Sequence, residues 1–486
     1  MKRATITIRD EVNIKIEGLD LDTRRDLVKK FKYDVPYARY LPAVRLGRWD
    51  GKVAYFQLGG STYVNLLPEI IPILEKQNYD IELDDQREYS TTFAFDQVTE
   101  TTYQDRAWPT GHPAEGQPIL LRDYQVEIIN NFLANPQCLQ EVATGAGKTI
   151  MTAALSDAVS AYGRSIVIVP NKSLVTQTEK DYKNMALDVG VYFGDRKEYG
   201  RHHTICTWQS LNNLLKNTKN GVGDCTIQEF LEDVVCVIVD EVHMAKADAL
   251  KTLLTGVMAQ VPIRWGLTGT IPKELFESQS LLVSLGPVIS RLAASELQDR
   301  GVLAQCHVNV VQLVDTREHK TYQEELKYLL EEPGRLDAIA QLVLQVNETG
   351  NTLVLVDRVA AGQELVARLG DRAVFVSGAT KARDRQDEYD EIATSTDKII
   401  VATYGVAAVG INIPRIFNLV MIEPGKSFTR VIQSIGRGIR KAEDKDHVQI
   451  WDITSTCKFS KRHLTKRKVF YNEANYPYTQ EKLNWQ

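Results

Sequence analysis

The feature that most constrains this chain is a series of short runs, at 166–169, 235–239, 353–356, 399–401 and 419–422, that are apolar at every position. A strand with one face in water alternates apolar and polar residues, so runs without alternation need cover on both faces. Longer helical patterns separate the runs, and strands alternating with helices build a parallel sheet with helices on either side. The runs fall into two blocks, about 119–275 and 300–455, with no shorter internal period of the kind a solenoid shows. The expected class is α/β, in tandem, and 486 residues leave room for a further domain.

The stretch ahead of these blocks differs. Ala4-Thr5-Ile6-Thr7-Ile8 and Val12-Asn13-Ile14-Lys15-Ile16 alternate with period two around Asp10, which predicts a hairpin in a small α+β unit. Asp50-Gly51, between Arg45-Leu46-Gly47-Arg48-Trp49 and Lys52-Val53, predicts a second hairpin, because that dipeptide tolerates the positive φ of a tight turn. From 84 to 118 periodicity is lost, and the segment ends in Trp108-Pro109-Thr110-Gly111-His112-Pro113; the first domain boundary is placed here.

A net charge of −5 excludes a uniformly positive surface, although a nucleic-acid binder needs only a basic stripe. Residues 1–60 hold 13 basic against 8 acidic residues, and 458–468 hold six basic residues and no acid. Charge alone leaves two readings open, solvated surface runs or phosphate contact. The six cysteines (138, 206, 225, 236, 306 and 457) show neither CxxC pairs nor zinc-like spacing, and read as reduced, mostly buried thiols. The absence of a long apolar run or an apolar leader predicts no membrane span and a cytoplasmic location, the host's cytoplasm if the chain is phage-encoded.

Thr144-Gly145-Ala146-Gly147-Lys148-Thr149 precedes a helical pattern. Backbone N–H groups of such a turn and of the helix behind it can surround a phosphate, with Lys148 reaching the outer phosphates and Thr149 offering a hydroxyl to Mg²⁺. Val142 stands where the general phosphate-loop pattern has its first glycine, so a chance Gly-Lys-Thr stays open on this segment alone. The run 237–239 ends in Asp240-Glu241-Val242-His243. There Asp240 can hold Mg²⁺ through water and Glu241 can orient or deprotonate an attacking water; two acids in a solvated strand-end loop is the alternative. In Gln433-Ser434-Ile435-Gly436-Arg437-Gly438-Ile439-Arg440 two arginines three apart face one side of a helix, placed either to neutralise charge in phosphoryl transfer or to line a solvated basic face.

Taken in order, these segments resemble the superfamily 2 helicases over residues 119–455. The resemblance implies two RecA-like parallel-sheet domains, ATP with Mg²⁺ as cofactors, and a nucleic-acid-stimulated ATP hydrolase. It implies that Gln125 of Leu121-Arg122-Asp123-Tyr124-Gln125 reads adenine while Arg122 or Tyr124 packs on the base. Ala143 to Thr149 is its first motif, in which the family accepts a residue other than glycine at Val142. Pro170, Asn171, Thr207 and Gln209 match strand-tracking motifs, Asp240 to His243 the DExH box, and Thr268-Gly269-Thr270 the coupling motif, to which His243 also belongs. In the second lobe Asp357, Arg358 and Thr403 match further strand contacts, and Gly410 and Asn412 a nucleotide-facing motif in which many members carry Asp at the Asn412 position. Gln433, Arg437 and Arg440 match the catalytic motif that meets the phosphates.

The Arg45-x-Gly47-x-Trp49-Asp50-Gly51 segment resembles the phage UvsW-like recombination helicases, which implies a motor on forks, Holliday junctions and R-loops, acting as a monomer with DNA and phage recombination or replication proteins as partners. Arg45, Arg48 and Lys52 are the phosphate-contact candidates there, and Trp49 reads as a core aromatic. The division expected is a DNA-binding domain at 1–105, a linker at 106–118, an ATP-binding lobe at 119–280, a second lobe at 281–455 and a basic tail at 456–486. A DNA translocase without strand separation, an RNA helicase and a nucleotide-dead DNA-binding module are the rival readings.

Overall fold

The structure, a computed structural model, describes residues 2–87, 92–110, 112, 114–223, 225–242, 247–376, 395–406, 415–425 and 446–485. His243, Gly410, Asn412, Gln433, Arg437 and Arg440 lie outside the described residues. The chain separates into two compact units, one of residues 1–142 and 147–291, the other of 292–486 with 143–146.

The first unit opens with β1 (Lys2–Ile8) and β2 (Asn13–Glu17), which pair antiparallel as the alternation predicts. After β3 (Lys32–Asp34) and β4 (Lys52–Ala54), β5 (Ser61–Tyr63) and β6 (Tyr79–Asp85) complete a four-stranded sheet in the order β5-β2-β1-β6. The second expected hairpin is not formed. Pro42 starts a helical turn over Pro42–Arg45, since its fixed φ suits the first helical position, and β4 pairs instead with β3, Tyr33 opposite Val53. Asp50-Gly51 still turns the chain: Asp50 accepts from the Lys52 N–H at 3.1 Å and Gly51 takes a φ of +75°.

This small sheet shares its core with a helix from the end of the unit. Ile6, Ile14, Ile16, Phe31, Ile70 and Leu74 pack with Phe276 and Val283 of the helix Leu275–Leu285, and Trp49 packs against the same cluster from a partly buried position. The Tyr55 hydroxyl donates to the Phe276 carbonyl at 3.0 Å, and the Glu11 N–H donates to the Ala259 carbonyl at 3.0 Å. The segment expected as a linker is also tied down: Arg106 donates to the Met185 carbonyl at 2.9 Å and reaches Asp157 at 3.0 Å.

The main sheet of this unit comprises β7 (Gln137–Val142), β8 (Arg164–Val169), β9 (Val189–Phe193), β10 (Arg196–Lys197), β11 (His203–Thr207), β12 (Val234–Asp240), β13 (Ile263–Thr268) and β14 (Val288–Leu292), in the order β10-β9-β11-β8-β12-β13-β7-β14. The pairings β9/β11, β11/β8, β8/β12, β12/β13 and β13/β7 are parallel, so five carboxyl ends from β11 to β7 reach one edge. β12, apolar from Val234 to Val239, lies at the centre with both faces covered, as its unbroken run requires.

The second unit holds β15 (Gln305–Leu313), β16 (Thr352–Val356), β17 (Ala373–Val376), β18 (Ile399–Thr403), β19 (Asn418–Ile422), β20 (His447–Ser455) and β21 (Tyr478–Leu483), ordered β17-β18-β16-β19-β20-β15-β21 and parallel throughout. The expected boundary at 280/281 falls inside the helix Leu275–Leu285. The segment expected as a basic tail is part of this layer structure: the helix Lys458–Glu473 packs on β20, and β21 adds an edge strand beside β15. Arg467 of that helix is fully buried against Asp452 of β20 at 2.8 Å, an arrangement that anchors the helix. Among the described residues no helix is long and apolar enough to cross a membrane, and all six cysteines are free and buried.

Candidate nucleotide site and strand-contact edge

β7 ends at Val142, and the chain turns through 143–147 into the helix Lys148–Val159. Gly145 and Gly147 take φ of +92° and +82°, a region that L side chains avoid, which accounts for glycine at both. A Cβ at Gly147 would also stand 2.7 Å from the Gln125 amide nitrogen, so the residue expected to read adenine lies directly against the phosphate loop. The Gln125 side-chain oxygen accepts from the Arg122 N–H at 2.9 Å, which fixes the amide at the start of the helix Asp123–Ala134. Tyr124 is buried, whereas Arg122 is exposed; of the two candidates for packing on a base, Arg122 is the accessible one.

Lys148 Nζ lies 2.9 Å from Glu241 Oε1 and donates to the Val142 carbonyl at 3.3 Å. The second Glu241 oxygen accepts from the Gly269 N–H at 3.3 Å. Asp240 ends β12 and accepts from the Glu241 N–H at 2.9 Å, and Glu241 itself takes a φ of +50°. A non-glycine residue held in the left-handed region marks a backbone constrained by its surroundings, here at the step that turns the second acid toward Lys148. The Thr268 hydroxyl donates to the Thr270 carbonyl at 2.8 Å, and its oxygen receives the Thr270 N–H at 3.2 Å. One connected line therefore runs from Lys148 through Glu241 to Gly269 and the two threonines that flank it.

Two strands along the same edge, Asn171 caps the helix Lys172–Asn184 by accepting from the Leu174 N–H at 3.0 Å, and Thr207 caps the helix Trp208–Lys219 by accepting from the Ser210 N–H at 3.3 Å. Thr207 stands opposite Val169 in the β8/β11 register, and Gln209 donates to the Pro170 carbonyl at 3.5 Å. Pro170, Asn171, Thr207 and Gln209 thus come together beside two helix N-termini, whose free N–H groups and dipoles suit phosphate oxygens. In the second unit Asp357 follows β16 and Thr403 ends the adjacent β18, Val356 being paired with Thr403, while Arg358 is held at 3.1 Å by Glu331. Arg45 and Arg48 are exposed and have no ion pair with a described residue; Lys52 lies 3.2 Å from Asp34.

One acid carries no signal in the sequence. Asp181, in the helix after Asn171, lies beside the Thr149 hydroxyl, and burial pushes its carboxyl up to about 6, partly opposed by Lys180 and by that hydroxyl. A lone acid in mid-helix belongs to no motif, and only the packing of two helices brings it to Thr149.

The family described as "Type III restriction enzyme, res subunit" matches residues 118–273, and "Helicase conserved C-terminal domain" matches residues 334–442. The chain is 22% identical over 475 residues to "ATP-dependent DNA helicase uvsW" of Enterobacteria phage T4, covering 93% of this chain and 91% of that one. The chain is a superfamily 2 helicase, similar in sequence to UvsW. It is an ATP-dependent helicase with two tandem RecA-like domains. It is also 26% identical over 371 residues to "DNA 3'-5' helicase XPB" of Kineococcus radiotolerans, covering 74% of this helicase and 64% of that one. In fold it is similar to a fragment of an HsdR subunit of a type I restriction enzyme from Vibrio vulnificus, with a TM-score of 0.56, 16% identity and coverage of 97% and 85%.

Proposed function

We propose that this helicase acts on DNA, unwinding or branch-migrating forks, Holliday junctions and R-loops in phage recombination, replication and repair. The observation that carries the reading is the shared edge. Lys148, Asp240, Glu241 and Thr268 leave the same side of one sheet as Asn171 and Thr207, so hydrolysis and strand contact are built on one rigid layer. The names of the phage and Kineococcus relatives, both DNA helicases, support DNA over RNA.

In the proposed cycle the triphosphate takes Lys148 away from Glu241, because a polyanion in the loop outcompetes a single carboxylate for the ammonium. Glu241, released from the ammonium, then holds the attacking water. Its backbone partner Gly269 sits between Thr268 and Thr270, so a change at the carboxylate is felt where the coupling motif leads into the helix Leu275–Leu285. Thr149 and Asp240 would hold Mg²⁺; a hydroxyl and a largely buried carboxylate are hard oxygen donors of the type the ion prefers, with phosphates and water completing its shell. The ion would neutralise charge on the outer phosphates. Arg45 and Arg48, in and just after the helical turn Pro42–Arg45, whose neighbours Val44 and Trp49 pack on the core shared with the helix Leu275–Leu285, are the proposed contacts to a DNA arm.

The test is purified protein with ATP on matched forks, Holliday junctions, R-loops and duplex RNA. Junction and fork DNA are expected to be processed and to stimulate hydrolysis most. Equal or greater activity on RNA would overturn the DNA assignment, and DNA-stimulated hydrolysis without any strand separation would reduce the reading to a translocase.

A further inference from the structure

The helix Lys458–Glu473 is divided cleanly by its own periodicity. Ser460, Leu464, Arg467 and Tyr471, spaced by four, three and four, are buried. Arg467 and the Tyr471 hydroxyl both reach Asp452, at 2.8 and 2.7 Å. At the other end Glu325 accepts from the Phe459 and Ser460 N–H groups at 3.0 and 2.7 Å, closing the helix N-terminus. The helix is therefore fixed to the second sheet along one side, and the opposite side presents Lys458, Lys461, Arg462 and Lys466 exposed, with Lys468 half-buried beside them.

What separates this face from an ordinary solvated charge run is that its cations are gathered along one side of a fixed helix. Arg317, Lys327, Arg358 and Arg368 of the same unit each lie within 4.0 Å of a carboxylate. None of the five cations on the helix has an ion pair with a described residue, and no acid occurs in 458–468. Among the described residues, a chain with a net charge of −5 thus keeps a row of positive charge without an ion pair on a rigid support. The exposed positions of the helix carry no aromatic side chain. Single strands are gripped largely by stacking bases on aromatics, so this face suits a backbone and not bases. Ten residues of helix extend about 15 Å, and duplex DNA offers one phosphate charge per ~1.7 Å of axis.

We propose that the exposed face of Lys458–Glu473 is a second DNA-contact surface, belonging to the second lobe, that holds the phosphate backbone of a duplex arm. The proposal rests on the DNA-motor reading and adds a surface outside the helicase motifs.

The experiment compares wild type with the quadruple variant Lys458→Gln, Lys461→Gln, Arg462→Gln, Lys466→Gln and with a charge-keeping variant in which the three lysines become arginine. Binding to a duplex and to a single strand of equal length is titrated from about 50 to about 300 mM salt, with thermal melting as the folding control. The glutamine variant is expected to melt as wild type, to bind duplex at least tenfold more weakly at the lowest salt, and to lose about 2–4 from the slope of log affinity against log salt, at ~0.9 per phosphate contact. The arginine variant is expected to stay within about twofold of wild type. Unchanged duplex affinity and slope in the glutamine variant, or a loss confined to the single strand, would overturn the helix assignment. If wild type itself bound neither DNA and showed no stimulated hydrolysis, the motor reading would fall instead.

Discussion

Lys148 and Glu241 face one another across 2.9 Å, each side chain about a tenth exposed, so the two groups expected to act on ATP are engaged with each other in this conformation. The pair satisfies two charges that would be costly to leave alone in a site largely shielded from water. It also keeps both groups pointed at the place a phosphate must enter.

Replacing Glu241 by Gln separates the two functions of that pair. The amide removes the competitor for Lys148, so affinity for ATP is expected to be retained or raised, while hydrolysis loses a base worth roughly 10²–10⁴-fold. Single-turnover hydrolysis and titration with a fluorescent nucleotide measure the two separately. A fall in affinity with hydrolysis per bound nucleotide unchanged would assign Glu241 to binding and remove it from the chemistry.

Gly147 tests the contact between the loop and the adenine-reading segment. Alanine there must accept a φ of +82°, and its methyl must displace the Gln125 amide 2.7 Å away. The backbone penalty is about 1–2 kcal/mol. The expected result for Gly147→Ala is at least tenfold weaker ATP binding, with a smaller change for nucleotides carrying other bases, because the displaced Gln125 then contributes nothing to base choice. Equal losses for ATP and GTP would show that Gln125 does not read the base.

Much of this architecture is legible in the sequence because burial on both faces leaves a mark in composition. The runs that form β8, β12, β16, β18 and β19 have few positions a polar residue could occupy, so they stand out without any knowledge of neighbours. The phosphate loop and the Asp240-Glu241 pair are local for the same reason, each function resting on adjacent residues. The hidden features depend on partners far away in the chain. β21 is largely exposed and polar, and it joins the sheet through backbone hydrogen bonds to β15, so its side chains carry little signal of being a strand. The partner of Lys52–Ala54 is not legible, because Asp50-Gly51 marks a turn without saying which strand lies on its far side. Arg467 reads as one more charge in a basic run, and only its three- and four-residue spacing from Leu464 and Tyr471 betrays the buried stripe.

Asp181 gives a prediction in pH. Burial raises its carboxyl from 3.8 to about 6 in the folded protein, while the unfolded chain keeps the ordinary value. The folded state therefore binds the proton more tightly, and stability rises as pH falls from about 6 toward 4. Above about 6 the ionised carboxylate costs on the order of 3 kcal/mol. Asp181→Asn removes a charge the site disfavours, so it is expected to stabilise the protein at about pH 7.5 by up to that amount, with the gain vanishing near pH 4. Denaturant titrations at the two pH values check this; a variant less stable than wild type at the higher pH would show instead that the Asp181 charge holds Thr149 in place.

The Arg467–Asp452 pair decides whether residues 456–485 are part of the second lobe's framework or an appendage resting on it. Both side chains are fully buried, Arg467 also donates to the Gly425 carbonyl at 2.7 Å, and its helix packs on β20, which is hydrogen-bonded to β15 on one side and β19 on the other. Removing one partner of such a pair leaves the other charge buried and uncompensated, a loss of about 3–5 kcal/mol. Lys466→Ala, one residue away on the exposed face, should change stability by no more than about 0.5 kcal/mol. Because a chain of two units need not unfold in one step, amide hydrogen exchange in β15 and β20 is the better measure than a single melting point. Arg467→Ala is expected to speed exchange in both strands while the β8 and β12 amides of the first unit stay protected. Protection of β15 and β20 equal to wild type would mean that the sheet holds without the helix, and that β21 is an edge strand it can lose.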